Sequence, residues 1–317
     1  MKEDIKICAV IPTWNRAETI ARSIESVLSQ TYSAAEVIIV DDGSKDNTRQ
    51  IVQAYNNKVR YLYQENMGVS AARNSGVNQT TSEWIAFLDS DDYWFNDHLK
   101  QIAEAIKATK HAAVLYFSDA MRIDYEKKSS HWQLCKFKVS EPFEIEHVGG
   151  RWVLMRIQPM LIPTSVMKRS ALLEIGGFAK HLRTREDTHL FLKLGLCYSL
   201  CAVKGIGGAI MSDSKTQLTE IYGEESECYS EATVSMYRDL LVSGCRISTG
   251  DRVLLSNSLS ASFFSNGQIL YRKKKYFSSI RNLVMSGCIS PLVFGKCCTK
   301  TLGRRVLNLK TRFVDRF

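Results

Sequence analysis

The chain has 317 residues, 45% hydrophobic and 24% charged, with 42 Lys and Arg against 33 Asp and Glu for a net charge of +9. That length accommodates one large or two medium domains. The composition excludes a disordered, collagenous or disulfide-scaffold chain. No apolar run reaches the roughly eighteen residues that cross a membrane, and Met1-Lys2-Glu3-Asp4 leads into a strand without a signal peptide's apolar stretch, so a cytoplasmic protein is expected.

Residues 1–117 alternate strand and helix patterns. Ile7–Ile11 reads as an apolar strand ended by Pro12, and Ile20, Ile24, Val27 and Leu28 share one helical face. Val37–Val40 is a second apolar strand, stopped by Asp41-Asp42-Gly43-Ser44, and Ile51, Val52 and Tyr55 mark the next helix. Val59, Tyr61 and Tyr63 alternate as in a strand near a sheet edge, 68–77 is a short helix, and Trp84–Leu88 is a buried strand. A helix through Leu99, Ile102, Ala103 and Ile106 and a strand at Ala112–Phe117 complete the series. Alternation of this kind implies a mostly parallel sheet flanked by helices.

Regularity weakens after Ser118, and 118–150 has no clear period. Short helices are expected at Arg169–Ile175 and Glu186–Leu196, separated by Gly176-Gly177-Phe178. Beyond Glu220 three helices are expected, near 229–243, 251–265 and 268–286, followed by a basic tail. The expected organisation is a catalytic domain over 1–220, with 1–117 as one half and 118–220 as the other, and a helical basic region over 221–317. The nine cysteines lack zinc-ligand spacing and read as reduced thiols.

Chemistry concentrates at Leu88-Asp89-Ser90-Asp91-Asp92. Three acids in four residues at the end of an apolar strand repel one another unless a cation or ligand offsets the charge. Hard oxygen donors of this type suit Mg²⁺ or Mn²⁺. Ligands of open α/β sheets bind at the carboxyl ends of strands. The first strand is followed by Pro12-Thr13-Trp14-Asn15-Arg16, so neither a glycine-rich dinucleotide turn nor a phosphate-cradling P-loop is present.

The ordered set Val10-Ile11-Pro12-Thr13-Trp14-Asn15-Arg16, Val40-Asp41-Asp42-Gly43-Ser44, Asn66-x-Gly68-x-x-Ala71-Ala72-Arg73-Asn74-x-Gly76 and Leu88-Asp89-Ser90-Asp91-Asp92 resembles family 2 glycosyltransferases. Gly176-Gly177-Phe178 followed by Glu186-Asp187 extends the likeness, which covers about 5–210. The resemblance implies the A-type nucleotide-diphospho-sugar transferase fold, a nucleotide-sugar half over 1–117 and an acceptor half over 118–220. By likeness, Pro12, Thr13 and Asn15 belong to the base pocket, Asp42 pairs with a uracil-type ring, and Arg73 contacts the nucleotide. Asp91 faces ribose and metal, Asp92 ligates the metal directly, and Asp89 supports the turn. Asp187 is the implied catalytic base, which accepts the acceptor hydroxyl's proton opposite the leaving diphosphate.

The implied activity is an inverting, Mn²⁺- or Mg²⁺-dependent hexosyltransferase of bacterial polysaccharide biosynthesis. It would use a UDP-linked donor and a glycan or lipid-linked acceptor. Lys193 stands where the family usually has an arginine, so bidentate phosphate contact there is not expected. His189 reads as structural. A nucleotidyltransferase of related fold lacks its glycine- and arginine-rich loop here, and the intact Asp91, Asp92 and Asp187 count against a non-catalytic sugar-nucleotide binder. The basic segments Arg272–Phe277 and 296–316, with Leu302, Val306 and Leu309 on one helical face, suit peripheral contact with an anionic membrane on its inner face. No groove-reading motif points to nucleic acid. Nothing in the pattern sets the oligomeric state.

Overall fold

The structure is a computed structural model that describes residues 4–124, 127–148, 150–155, 157–211, 226–243, 247–299 and 301. The chain divides into two units, Met1–Gln217 and Leu218–Phe317.

In the first unit the strands and helices run β1 (Ile7–Thr13), α1 (Ile20–Leu28), β2 (Glu36–Asp41), α2 (Thr48–Gln53), β3 (Arg60–Tyr63), α3 (Val69–Asn78), β4 (Trp84–Phe87), β5 (Tyr93–Trp94) and α4 (His98–Ala108). They continue as β6 (Leu115–Asp124), β7 (Lys127–Ser130), α5 (His131–Cys135), β8 (Phe143–Glu146), β9 (Ser165–Lys168), α6 (Arg169–Glu174), α7 (Glu186–Cys197) and β10 (Leu200–Met211). The strands form one sheet in the order β3-β2-β1-β4-β9-β6-β10-β5, with β7 beside β6 and β8 beside β10. Strands β3, β2, β1 and β4 are mutually parallel. Strand β9 is antiparallel to both β4 and β6, and β10 is parallel to β6. The six principal strands therefore share one direction, and β1, β2 and β4 end on the same edge.

Both faces of this sheet are covered at its centre, which is why β1, β2 and β4 are apolar along their length rather than alternating. Ile7, Ala9 and Ile11 pack with Ile20 and Ile24 of α1 and with Leu99, Ile102 and Ile106 of α4. On the opposite face α3 lies close against β1. A Cβ on Gly76 would sit 2.3 Å from Val10 Cγ1, so that helix position requires glycine.

The structure departs from the sequence expectation in several places. β1 runs through Pro12, which lies opposite Val40. The Leu88 N–H bonds to the Val10 carbonyl and the Asp42 N–H to the Thr13 carbonyl. Even-numbered β1 residues thus face β4, which has already ended at the level of Pro12, so the missing N–H removes no ladder bond. Strand β6 continues to Asp124, and 118–150 holds β7, α5 and β8. β10 carries Gly205, Gly207 and Gly208 with two register shifts, and its irregular, glycine-containing pattern hid it from the sequence reading.

The second unit contains α8 (Glu227–Val242), α9 (Thr249–Arg272), α10 (Tyr276–Ile289) and further helix at 291–299. Helix α9 passes through the break expected near 266–267 and stops at Arg272 instead. Gly267 serves close packing there: its Cβ would meet Leu283 Cγ at 2.9 Å. The expected Leu302, Val306 and Leu309 face lies outside the described residues.

Candidate active site

The turns after β1 and β2 are knitted together. Thr13, last in β1, is 3% exposed and its hydroxyl has no hydrogen-bond partner among the described residues. A buried hydroxyl left unpaired costs about 1–3 kcal/mol, so this atom is a ready contact for a polar ligand group. Pro12 precedes it, buried in the strand. Asn15 adopts φ 50°, donates its backbone N–H to Ser44 Oγ at 2.9 Å and accepts from the Lys45 N–H at 2.8 Å. Trp14 between them is half exposed, an aromatic face open to solvent beside Thr13.

Asp41 accepts from the Tyr61 hydroxyl at 2.7 Å and the Ser44 N–H at 2.8 Å. Burial, then the bond to Asp41, pushes the Tyr61 hydroxyl above its usual range. Asp42 is buried and accepts three bonds, from Gln64 Nε2 at 2.7 Å, the Met67 N–H at 3.0 Å and the Gly68 N–H at 2.8 Å. Both its oxygens hold the segment that leads into α3. Among the described residues its Oδ2 accepts only the Gly68 N–H, which leaves one acceptor site for a ring N–H.

The turn after β4 is anchored on α1. Ser23 Oγ donates to the Asp92 carbonyl at 2.7 Å, and Thr19 Oγ1 to the Ser90 carbonyl at 2.8 Å. Among the described residues each acid in the turn has one carboxylate oxygen engaged. Asp89 accepts from Arg73 at 2.7 Å, Asp91 pairs with Arg16 at 3.3 Å, and Asp92 accepts the Met211 N–H at the end of β10 at 2.9 Å. Burial, then Asp89, raises the Asp91 carboxyl against the opposing pull of Arg16. Burial, then Asp89 and Asp91, raises Asp92 well above the carboxylate range. This is the under-neutralised acid turn that a cation relieves.

Arg73 joins this turn to α7. Its side chain is 5% exposed and bonds Asp89 through Nη2 and Glu186 at 3.0 Å through Nη1, with its guanidinium 5.1 Å from the Phe178 ring. Burial works against its charge, but Asp89 and Glu186 outweigh that and push it above its usual range. Burial, then Asp187, pushes Glu186 up to about 7 despite Arg73. The next residue, Asn74, clamps the glycine turn: its Nδ2 donates to the Phe178 carbonyl at 2.8 Å and its Oδ1 accepts the Phe178 N–H at 2.9 Å. Gly177 at φ 66° leaves no room for a Cβ, which would fall 2.5 Å from Asn74 Oδ1. Two adjacent α3 residues thus fix the loop and the helix start that carries Asp187.

Asp187 is partly exposed in the first turn of α7, and its Oδ1 accepts the Thr188 N–H. His189 is fully buried within the helix, and Lys193 donates to the Ile175 carbonyl at 3.3 Å at the end of α6. Thr13, Asn15 and Asp42 therefore gather in the first two turns. Asp91 and Asp92 share the third, and Arg73 lies between that turn and Asp187. Sequence reasoning missed Arg16, Asn74 and Glu186 as site-forming residues. Arg16 lies 75 positions from Asp91 and Arg73 113 from Glu186, separations across which spacing carries no signal.

Among the described residues no three His, Cys, Asp or Glu converge on one point. A divalent ion here would have at most two protein carboxylates, Asp91 and Asp92, with donor phosphates completing its shell, as is usual for Mg²⁺ and its analogues. No hydrogen bond among the described residues reaches Asp91 Oδ1 or Asp92 Oδ2. The donor set fits such an ion.

The sequence profile described as Glycosyl transferase family 2 matches residues 8–175. An uncharacterized glycosyltransferase of Nostoc sp. is 28% identical over 294 residues, 86% of this chain and 83% of that protein. One from Rickettsia bellii is 30% identical over 195 residues, 60% of this chain but only 26% of that longer protein. The crystal structure of S. aureus TarS 1-349 superposes with TM-score 0.63 at 19% identity, covering 91% of this chain and 82% of TarS. Mannosyltransferase PcManGT from Pyrobaculum calidifontis, solved with GDP-Man and Mn²⁺, gives TM-score 0.57 at 15% identity, covering 96% and 81%.

Proposed function

Since the chain belongs to Glycosyl transferase family 2, we propose an inverting, metal-dependent transfer of a sugar from a nucleoside-diphosphate donor, UDP-linked, to a hydroxyl of a glycan or lipid-linked saccharide. The observation that carries this reading is the Arg73 bridge, which links the acid turn to the helix start beside Asp187. The first 117 residues hold the donor, with the Thr13 hydroxyl, Asn15, Asp42 and the exposed Trp14 ring around the base. Residues 118–220 face the acceptor.

In the single displacement, the acceptor oxygen attacks the anomeric carbon as the bond from that carbon to the diphosphate oxygen breaks. The hydroxyl proton passes to Asp187, and the nucleoside diphosphate leaves with the bonding pair. Asp91 and Asp92 would hold an Mn²⁺ or Mg²⁺ ion, which when bound would neutralise charge on the departing diphosphate. Arg73 then acts through Asp89 and Glu186 rather than on the nucleotide, holding both ends of the site in register. A lipid-linked acceptor places the enzyme peripherally at the inner face of an anionic membrane, through the basic C-terminal region.

The test is a donor screen. The protein with Mn²⁺ is incubated with UDP- and GDP-sugars, and hydrolysis is followed by mass detection. Slow release of UDP from one donor, abolished by chelation, supports the reading. No turnover of any nucleotide sugar, with and without metal, overturns it.

A further inference from the structure

Helices α9 and α10 form an antiparallel hairpin that leaves an apolar stripe of α10 facing outward. Their seam combines apolar packing, with Met285 and Ile289 against Leu259 and Phe263, and a row of small and polar contacts. Ser260 Oγ donates to the Ser286 carbonyl at 2.9 Å, Asn266 Nδ2 donates to Asn282 Oδ1 at 3.2 Å, and Ser279 Oγ donates to the Gly267 carbonyl at 2.7 Å. The buried residues of α10 are Ser279, Asn282 and Ser286. Its outward face carries an apolar stripe: Phe277 is 85% exposed, Ile280 61% and Val284 57%, and the exposed Cys288 continues it. A helix that meets water on its outer face carries the opposite pattern, apolar inward and polar outward. Small and polar residues between helices with apolar residues outside is the pattern of helices that meet lipid.

The surroundings select the partner. The turn between the helices is Arg272-Lys273-Lys274-Lys275, flanked by the exposed rings of Tyr271 and Tyr276, 5.5 Å apart edge to face. Lys273 and Lys275 are paired with Glu227. Among the described residues no carboxylate pairs with Arg272, Lys274 or Arg281. Tyrosine at the headgroup level and cations beside an apolar stripe are the chemistry of an anionic bilayer surface. No described helix is long and apolar enough to cross a membrane, so α10 would lie in the interface.

We propose that the exposed face of α10, with the Arg272–Lys275 turn, is the surface that docks this protein on anionic lipid. This inference rests on the peripheral-membrane part of the proposed function and assigns it to a described hairpin instead of the chain's last residues.

The experiment is flotation of the full chain with vesicles of phosphatidylglycerol mixed with phosphatidylcholine, and with phosphatidylcholine alone, at low and physiological salt. The wild type floats with the acidic vesicles and less so as salt rises. A Phe277→Ser, Ile280→Ser, Val284→Ser triple variant loses at least about tenfold in partitioning, since burying even one such side chain corresponds to roughly that factor. Its melting curve and donor hydrolysis stay at wild-type values, because none of the three is buried or near the acid turn's residues in sequence. Lys274→Glu with Arg281→Glu weakens binding and flattens the salt response. A triple variant that floats like the wild type overturns the assignment while leaving the membrane reading to another segment. A full chain that ignores acidic vesicles at low salt overturns both, even if donor turnover is intact. A concentration-dependent dimer that the triple variant abolishes, without flotation, makes the occupant a second copy and overturns the lipid assignment.

Discussion

Replacing Arg73 with Met keeps the unbranched stem and removes the charge that joins the acid turn to α7. The arginine is 5% exposed and makes two ion pairs, at 2.7 Å to Asp89 and 3.0 Å to Glu186. Removing one partner of a buried pair costs about 3–5 kcal/mol. Two features lower that figure. The Asp89 side chain is 32% exposed, so water takes over much of its solvation. Glu186, already pushed up to about 7 with the arginine present, rises further without it and binds a proton near neutrality. A net loss of about 2–3 kcal/mol remains, or roughly 5–10 °C in melting temperature for a unit of this size.

The sign of the pH dependence follows from Glu186. An acid raised in the folded state takes up more protons than the unfolded chain does. Stability therefore falls as pH rises from the ordinary Glu value through the folded one. In Arg73→Met the folded value lies higher than about 7, so the penalty relative to wild type grows as pH rises above neutrality. Glu186→Gln in the Arg73→Met background removes that growth, and the double-mutant cycle gives a coupling of about 1–2 kcal/mol. Thermal melts from pH 6 to pH 8.5 measure both, since that range brackets the Glu186 value of about 7. A loss under about 1 kcal/mol with no pH trend refutes the clamp. So does a variant of unchanged stability whose only defect is donor affinity, since that outcome makes Arg73 a nucleotide contact.

Three further outcomes are expected. Asp187→Asn keeps the shape of α7's first turn and lowers turnover by roughly 10²–10⁴ with donor KM nearly unchanged; parallel loss of donor binding in steady-state kinetics would assign Asp187 a structural role instead. Asp92→Ala abolishes Mn²⁺-stimulated donor hydrolysis while circular dichroism stays native, and near-wild-type turnover would remove Asp92 from the metal site. His98 is fully buried, neither ring nitrogen has a hydrogen-bond partner among the described residues, and burial pushes its pKa down to about 3. A depressed histidine destabilises the fold as pH drops below its unfolded value of about 6.5, by up to about 1.4 kcal/mol per pH unit. His98→Gln should therefore flatten the acid limb of the stability profile between pH 6.5 and pH 4, a window that falls between His98's folded pKa (about 3) and its unfolded one (about 6.5); equal slopes in urea titrations would contradict that account.

Local pattern determined a good deal by itself. The apolar strands β1, β2 and β4, the helical faces of α1 and α4, and the polar turns after the three strand ends follow from periodicity and from residues that stop strands. These are short-range signals that each segment carries alone. Tertiary structure decided what lies between such segments. Whether Pro12 ends β1 depends on where β4 stops. Whether 200–211 is a strand depends on β6 offering an edge, because a glycine-rich stretch has little strand preference of its own. The partners of Asp42 and Arg73 come from elsewhere in the chain, 22 to 26 positions away for Asp42 and 113 for the Glu186 that Arg73 meets. The orientation of α10 shows the same division. Its sequence offers more than one face that could be buried, and the bonds to Ser260, Asn266 and Gly267 together with the packing of Met285 and Ile289 on Leu259 and Phe263 decide which one is, because a seam is a property of two surfaces in contact and not of either one.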